Sequence, residues 1–393
     1  MPSDGAGDVE CHPVTGTSSE TDAASGEHVD AASAALLQRH GLPVETRRAL
    51  AASLRSGASG KGNVLSGRIE PPTTQELVAL PETGDERATW EARGSAAIAA
   101  GEVAAVVLAG GMATRFGGVV KAGVPAARGR TFLDLKLSDV RSAAERAGGT
   151  IPIVLMASFA TEEEVRRLAA PFDGPRTPVS VISQFVSLRL TPDGALVREE
   201  DGTASPYAPG HGDLTSALRD GGTLAALRAR GVRTLFVSNV DNLGATLDPV
   251  IVGAHVSMGG SITVETVRKD PGDRGGTPAR VDGLLQIVES FRFPKDFDQD
   301  AIPVFNTNTL LMDTAAIDRD FDLTFFRVEK KVEGKVAIQH ERLVGELTAF
   351  LPSRFLVVPR SGPEGRFQPV KDPEELERRR PDIEQLLEAR GVL

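Results

Sequence analysis

The chain has 393 residues, 40% of them apolar and only 5% aromatic, which suits one large domain built around an aliphatic core. Its formal charge of −10 is concentrated at the start, where Asp4, Asp8, Glu10, Glu20, Asp22, Glu27 and Asp30 lie in a stretch without Lys or Arg; no basic footprint for nucleic acid or an anionic membrane remains. The lone cysteine, Cys11, excludes an intrachain disulfide, and no run approaches the ~18 apolar residues that span a bilayer.

The opening MPSDGAGDVE lacks the basic and hydrophobic segments of a secretory leader, so a cytoplasmic protein is expected. Residues 1–28 have little to bury and are predicted to form a disordered acidic tail. Residues 29–100 read as a helical N-terminal extension. Leu36, Leu37, Leu50 and Leu54 suggest two short helices broken near Gly41 and Pro43, and a polar passage, SGASGKGN, follows. A further helix start is expected at Thr73 or Thr74, and ERATWEARGSAAIAA (86–100) looks helical.

From Val103 the pattern changes. VAAVVL is a short apolar run of the kind that forms a buried strand. The next segment puts Leu133, Leu137, Val140 and Ala144 on one helical face and stops at Gly148 and Gly149. IPIVLMAS predicts a strand, and TEEEVRRLAA a helix opened by a capping box between Thr161 and Glu164. VSVIS is a strand and Thr223 to Arg230 a helix. TLFVSN (234–239), SITVETV (261–267), LLQIVES (284–290), VFNTNTLLM (304–312) and FLVVP (355–359) are further strands. This alternation predicts an α/β domain over 101–371, with a mixed, mainly parallel sheet flanked by helices. Residues 372–393 form a charged helical tail.

Three segments carry chemistry. In LAGGMATRFGG (108–118), Gly110 and Gly111 follow a buried strand and let backbone N–H groups approach an anion; Arg115 and Lys121 can neutralise phosphate oxygens. A tight turn packed on a helix is the plain alternative. In YAPGHGD (207–213), Pro209, Gly210 and Gly212 make a rigid turn that leaves His211 pointing outward and Asp213 placed to cap the next helix; an ordinary surface loop is the alternative. In VSNVDNLGAT (237–246), Asp241 stands where a strand ends, at the edge of the sheet where α/β proteins bind ligands. A hard carboxylate there suits Mg²⁺ shared with phosphate oxygens, and an Asx-turn is the alternative. GGT (275–277), VE (288–289) and FNTN (305–308) supply groups that hydrogen-bond sugar hydroxyls, and RFQPVK (366–371) ends in Lys371. Taken singly, Glu289 and Lys371 read as surface charges.

Together and in this order, the segments resemble the UDP-glucose pyrophosphorylase family. LAGGMATRFGG with Lys121, TFLDL (131–135), APGHGD (208–213), SNVDNLGA (238–245), GGT, FNTN, VAIQHE (336–341) and RFQPVK carry the resemblance, from about residue 103 to 371. It implies a nucleotide-diphospho-sugar transferase fold, Rossmann-like and GT-A-like, and an enzyme that makes UDP-glucose and pyrophosphate from UTP and glucose-1-phosphate. Gly110, Gly111 and Gln184 would hold the uridine, with Gly210 near the base and His211 by the nucleotide phosphates. Asp241 would ligate Mg²⁺. Asn239, Gly276, Glu289, Asn306 and Asn308 would line the sugar, while Lys121 and Lys371 would bind the reacting phosphates, with Arg115 as a second candidate for them. GHGD, where N-acetylhexosamine relatives carry a GNGG-type segment, favours glucose-1-phosphate over an N-acetylated sugar phosphate; a UDP-N-acetylhexosamine or broad-specificity UDP-sugar pyrophosphorylase is the alternative. Ala109, Ala113 and Val120 depart from the family's first loop, which keeps a catalytically inactive nucleotide-sugar-binding regulator as the alternative of another class. A Rossmann dehydrogenase is disfavoured further, because the required glycine spacing and the ribose-binding acid after it are missing.

Overall fold

Apolar runs of five to seven residues can be buried on both faces only if helices cover both sides of the sheet they form. The computed structural model, which describes residues 20–56 and 63–393, meets that requirement. Eight strands make the central sheet: β1 (Leu77–Ala79), β2 (Val103–Leu108), β3 (Ile153–Ala157), β4 (Val179–Ser183), β5 (Thr234–Asn239), β6 (Ile262–Arg268), β7 (Val304–Asp313) and β8 (Ser353–Val357). Their order is β4-β3-β2-β5-β7-β6-β8-β1. Every neighbouring pair is parallel except the two that include β7. The mixed, mainly parallel α/β sheet expected from sequence is the one observed.

Successive residues of β2 face opposite sides, as strand geometry requires. Val103, Ala105 and Val107 enter one core, and Ala104, Val106 and Leu108 enter the other. The first core is closed by α3 (Asp85–Ala99), α4 (Phe132–Ala147), α5 (Glu162–Ala169), α8 (Pro249–Met258) and α9 (Pro373–Ala389), and the second by α6 (Leu214–Asp220) and α7 (Thr223–Ala229). Helix α4 starts and stops as its sequence asks: the Thr131 hydroxyl accepts from the Asp134 N–H, and Gly148 ends the helix at φ +67°. Helices α3 and α8 approach so closely that a Cβ on Gly94 would lie 1.8 Å from the Pro249 carbonyl oxygen.

Several expectations are corrected. The predicted disordered tail lies outside the described residues up to residue 19, as do residues 57–62 of the polar passage. Residues 20–28, also assigned to that tail, are ordered by pairing: Glu20–Thr21 meets His28–Val29, and Asp22 forms an ion pair with Arg47. The extension over 29–100 holds α1 (Ala31–His40), α2 (Val44–Arg55) and α3, but it is not wholly helical. The start expected at Thr73 is a capping box with Glu76 that opens a single 3₁₀ turn and leads into β1. That region therefore shares the central sheet and the core beneath α3. At α5 the capping box is absent, because the Thr161 hydroxyl accepts from the Ser158 N–H and Glu164 pairs with Arg167. A hairpin, Phe326–Val332 with Lys335–Glu341, was not anticipated.

Candidate active site

The sheet reverses direction of growth at β2: β3 and β4 extend to one side and β5 lies on the other. Such a switch point leaves a crevice beyond the carboxyl ends of the two strands. Here Leu108 and Asn239 are paired last residues of β2 and β5, so the glycine loop and the loop carrying Asp241 leave the sheet side by side. Because β7 runs the other way, its first residues, including FNTN, reach that same edge. A cavity of about 640 Å³ fills the crevice.

Of the residues predicted from sequence, Gly110, Gly111, Arg115, Lys121, Gln184, Gly210, His211, Asn239, Asp241 and Lys371 all line this cavity. Gly276, Glu289, Asn306 and Asn308 do not line it but are joined behind Asn239. Asn308 Nδ2 donates to Asn239 Oδ1 at 2.9 Å, the Asn308 N–H donates to Asn306 Oδ1, and the Asn306 N–H donates to the Gly276 carbonyl, both at 2.8 Å. Asn308 holds φ +58°, a conformation asparagine tolerates better than most residues. A Cβ on Gly276 would stand 2.7 Å from Glu289 Oε1, so glycine there leaves room for that carboxylate. Burial raises the pKa of Glu289, opposed by Arg292.

The two glycines differ. A Cβ on Gly110 would lie 2.5 Å from Gln184 Nε2, whereas one on Gly111 would point into open space. Gly110 thus brings Gln184 against the loop, and Gly111 exposes backbone to the cavity. Lys121 is buried beside them. Its Nζ donates to the Val370 carbonyl at 2.5 Å, lies 3.8 Å from Asp241 Oδ2 and faces the Phe116 ring at 4.5 Å. Desolvation lowers its pKa, countered by Asp241, and desolvation raises that of Asp241, countered by Lys121. Arg115 and Lys371 are exposed, and their side chains make no hydrogen bond or ion pair among the described residues. His211 Nδ1 accepts from the Val344 N–H at 3.0 Å, and burial pushes its pKa down to about 4. It is therefore a neutral ring whose Nε2–H is a donor.

The family motifs also build the scaffold. Asp213 does not cap α6; it pairs with Arg342 and accepts from the Phe185 N–H at 3.0 Å, fastening the GHGD turn from two sides. Burial raises its pKa to about 6. The loop after β5 is held from below by Lys136, whose ammonium donates to the Asn242 and Ala245 carbonyls at 2.8 and 2.5 Å, and by Asp139, which accepts from the Leu247 N–H. Burial lowers the pKa of Lys136 to about 8. Asn242 in turn grips RFQPVK, donating to the Arg366 carbonyl and accepting from the Gln368 N–H. Arg366 makes a bidentate pair with Glu265 of β6, 2.7 Å on each arm, fully buried.

Sequence reasoning missed Ser158, Arg189, Tyr207, Gln339 and Glu341, which complete the cavity wall. Gln339 and Glu341 lie within VAIQHE and Tyr207 directly precedes APGHGD, so a signal existed for three of them. Ser158 ends the predicted strand IPIVLMAS and Arg189 follows a two-residue strand, Ser187–Leu188, and neither stands in a motif. Among the described residues no cluster of three or more His, Cys, Asp or Glu side chains is arranged to hold a metal, and no helix is long and apolar enough to cross a membrane.

Comparison with known proteins places the chain among relatives of one family. The family model for UTP–glucose-1-phosphate uridylyltransferase matches residues 49–386. The uridylyltransferase of that name from Saccharomyces cerevisiae is 31% identical over 290 residues, covering 69% of this chain and 57% of its own length. That from Encephalitozoon cuniculi is 29% identical over 284 residues, covering 69% and 56%. The chain thus spans less than two thirds of the length of these relatives. Among solved structures, UDP-glucose pyrophosphorylase from Leishmania major in complex with UDP-glucose superposes with a TM-score of 0.68 at 25% identity, covering 83% of this chain and 73% of that one. The uridine diphosphate N-acetylglucosamine pyrophosphorylase from Trypanosoma brucei gives 0.73 at 22% identity, covering 91% and 80%, and shares the fold. With the motif loops gathered at one sheet edge and the family model matching most of its length, the chain belongs to the UTP–glucose-1-phosphate uridylyltransferase family.

Proposed function

We propose that the protein transfers uridylyl from UTP to glucose-1-phosphate in the cytoplasm, giving UDP-glucose and pyrophosphate. The observation that carries this reading is the convergence of Gly111, Lys121, Asp241 and Lys371 on one cavity at the switch point of the sheet. An oxygen of the sugar phosphate bonds to the α-phosphorus of UTP as the bond to the bridging oxygen breaks, and pyrophosphate leaves with that electron pair. The nucleophile is already an anion, so no general base is needed; the task is to align two anions and offset their repulsion. Gly110, Gly111, Gln184 and Gly210 hold the nucleoside, and His211 donates its Nε2–H to a phosphate oxygen without adding charge. Lys371 and Arg115 supply mobile positive charge, and Asn239, backed by Asn308, Asn306, Gly276 and Glu289, meets the sugar hydroxyls.

Asp241 suits Mg²⁺: it is one half-buried carboxylate facing the cavity, and Mg²⁺ commonly takes one or two carboxylates and completes its shell with phosphate oxygens and water. When bound, the ion would neutralise phosphate charge. Pyrophosphate release measured with UTP and Mg²⁺ across glucose-, galactose- and N-acetylglucosamine-1-phosphate tests the proposal. Release favouring glucose-1-phosphate and abolished by chelator is expected. UTP binding without release from any sugar would favour the regulator reading instead.

A further inference from the structure

Arg189, Tyr207, Gln339 and Glu341 stand on the cavity wall, yet no strand of the central sheet carries them. They hang from the chain between Val186 and Tyr207 and from the hairpin 326–341. The two pieces meet at Leu190 and Ile338, each N–H bonded to the other's carbonyl at 2.9 and 2.6 Å. Beneath them Leu188, Leu190, Leu196, Ala204 and Ile338 form a small core separate from the two that flank the sheet, and Val29, Ala51 and Leu54 of the N-terminal segment complete it. Without residues 20–55 that core would face water.

The same segment is fastened by hydrogen bonds. The Leu42 N–H donates to the Val186 carbonyl at 2.9 Å, and the Val186 N–H to the His40 carbonyl at 2.7 Å. Glu27 Oε1 accepts from the Leu196 N–H at 3.1 Å, and Asp30 Oδ2 from the Ala204 N–H at 3.0 Å. Both contacts fall one residue from the backbone that sets Arg189. The Val197 N–H donates to the Arg189 carbonyl at 2.9 Å, and the Arg189 N–H to the Ser205 carbonyl at 2.8 Å. Among the described residues the hydrogen bonds of the Arg189 guanidinium go to neutral acceptors: Gln339 Oε1, Ser205 Oγ and the Pro206 carbonyl. A shift of this backbone is a shift of the wall. The family match begins at residue 49, so most of the segment precedes it.

We propose that residues 20–55 brace the nucleotide side of the cavity, with Glu27 and Asp30 as positioning residues, so that UTP affinity depends on chain lying largely outside the family-matched segment. This rests on the uridylyltransferase reading. The test uses the full chain and compares Glu27→Ala/Asp30→Ala with Glu27→Gln/Asp30→Asn, which keeps an acceptor at each position. In the alanine pair, Kd for UTP alone and KM for UTP should rise about five-fold per lost bond, the equivalent of a typical net hydrogen bond. The kcat and the KM for glucose-1-phosphate should hold, and the Gln/Asn pair should recover most of the UTP affinity. Unchanged UTP affinity, or an equal rise in both KM values, overturns the brace. Should the alanine pair not fold, Glu27→Ala alone, which leaves the Asp30 cap of α1 intact, carries the same comparison. A wild-type chain that binds UTP but releases no pyrophosphate overturns the uridylyltransferase reading, while the UTP titration still decides the brace; one that binds no UTP overturns both.

Discussion

The cations of the cavity are not equivalent. Lys121 is buried and engaged, bonded to the Val370 carbonyl and close to Asp241, so it ties the glycine loop to the RFQPVK segment as well as adding charge. Lys371 is exposed and its ammonium makes no hydrogen bond or ion pair among the described residues, which leaves it able to follow charge moving towards the leaving pyrophosphate. Lys371→Ala should therefore lower kcat by roughly 10²–10³, the usual effect of losing one electrostatic stabiliser, at unchanged melting temperature. Lys121→Ala should lower both, and calorimetry beside steady-state kinetics separates the two cases. His340 offers a test in pH. Burial pushes its pKa down to about 4, with Arg327 acting in the same direction. The unfolded chain, with an ordinary histidine near 6.5, binds a proton in that window that the native ring refuses. Stability is thus lost as pH falls from about 6.5 towards 4, by at most about 3 kcal/mol for this ring. His211 acts in the same sense and Asp213, with its raised pKa, in the opposite one. In urea titrations at pH 7 and pH 5, the stability advantage of wild type over His340→Gln should shrink or reverse at the lower pH; an equal difference at both would refute the buried neutral ring.

At the scale of elements, the contact between α3 and α8 depends on two glycines. A Cβ on Gly253 would stand 1.7 Å from the Trp90 carbonyl oxygen, mirroring the contact of Gly94 with Pro249. Alanine at Gly253 would raise helix propensity by about 1 kcal/mol. Prying apart a packed pair typically costs about 1–3 kcal/mol, and the overlap here is with backbone. Gly253→Ala should accordingly lower the urea midpoint while leaving KM values alone. Sequence made the central strands legible because β2, β3 and β5 are buried on both faces and read as continuous apolar runs. It concealed β1, only three residues long at the sheet edge, and the strand Phe326–Val332, whose sequence FRVEKKV is rich in charge and only partly buried. Composition cannot distinguish such a strand from a loop, since its hydrogen bonds come from the partner strand. Thr161 failed as a cap for a related reason: its hydroxyl is taken by a donor in the preceding turn, the Ser158 N–H.

For the whole molecule, the site is held by polar clasps that join distant parts of the chain. Lys136, Asn242, Arg366 and Glu265 link α4, the loop after β5, the RFQPVK segment and β6. Removing one partner from a buried ion pair leaves the other charge uncompensated, so Glu265→Gln should cost about 3–5 kcal/mol in denaturant unfolding. These clasps explain what the motifs showed and what they did not. Residues that touch the cavity and residues that hold it occur in the same strings, such as Asp241 beside Asn242 and Lys371 after Arg366, so sequence located the site without dividing those roles. Arg189 and the brace over 20–55 stayed hidden because their arrangement depends on pairings between segments more than a hundred residues apart.

The reversed course of β7 has one further consequence. With the carboxyl ends of seven strands and the start of β7 at one edge, the opposite edge carries turns that lead into the strands, among them the exposed turns at Gly148 and at Arg230–Gly231. The cavity lined by the motif loops thus lies at the end of the molecule away from these turns. A cysteine or peptide tether introduced at Gly231 would anchor the protein to a surface with its cavity facing solution, an orientation that suits immobilised synthesis or single-molecule recording of ligand exchange.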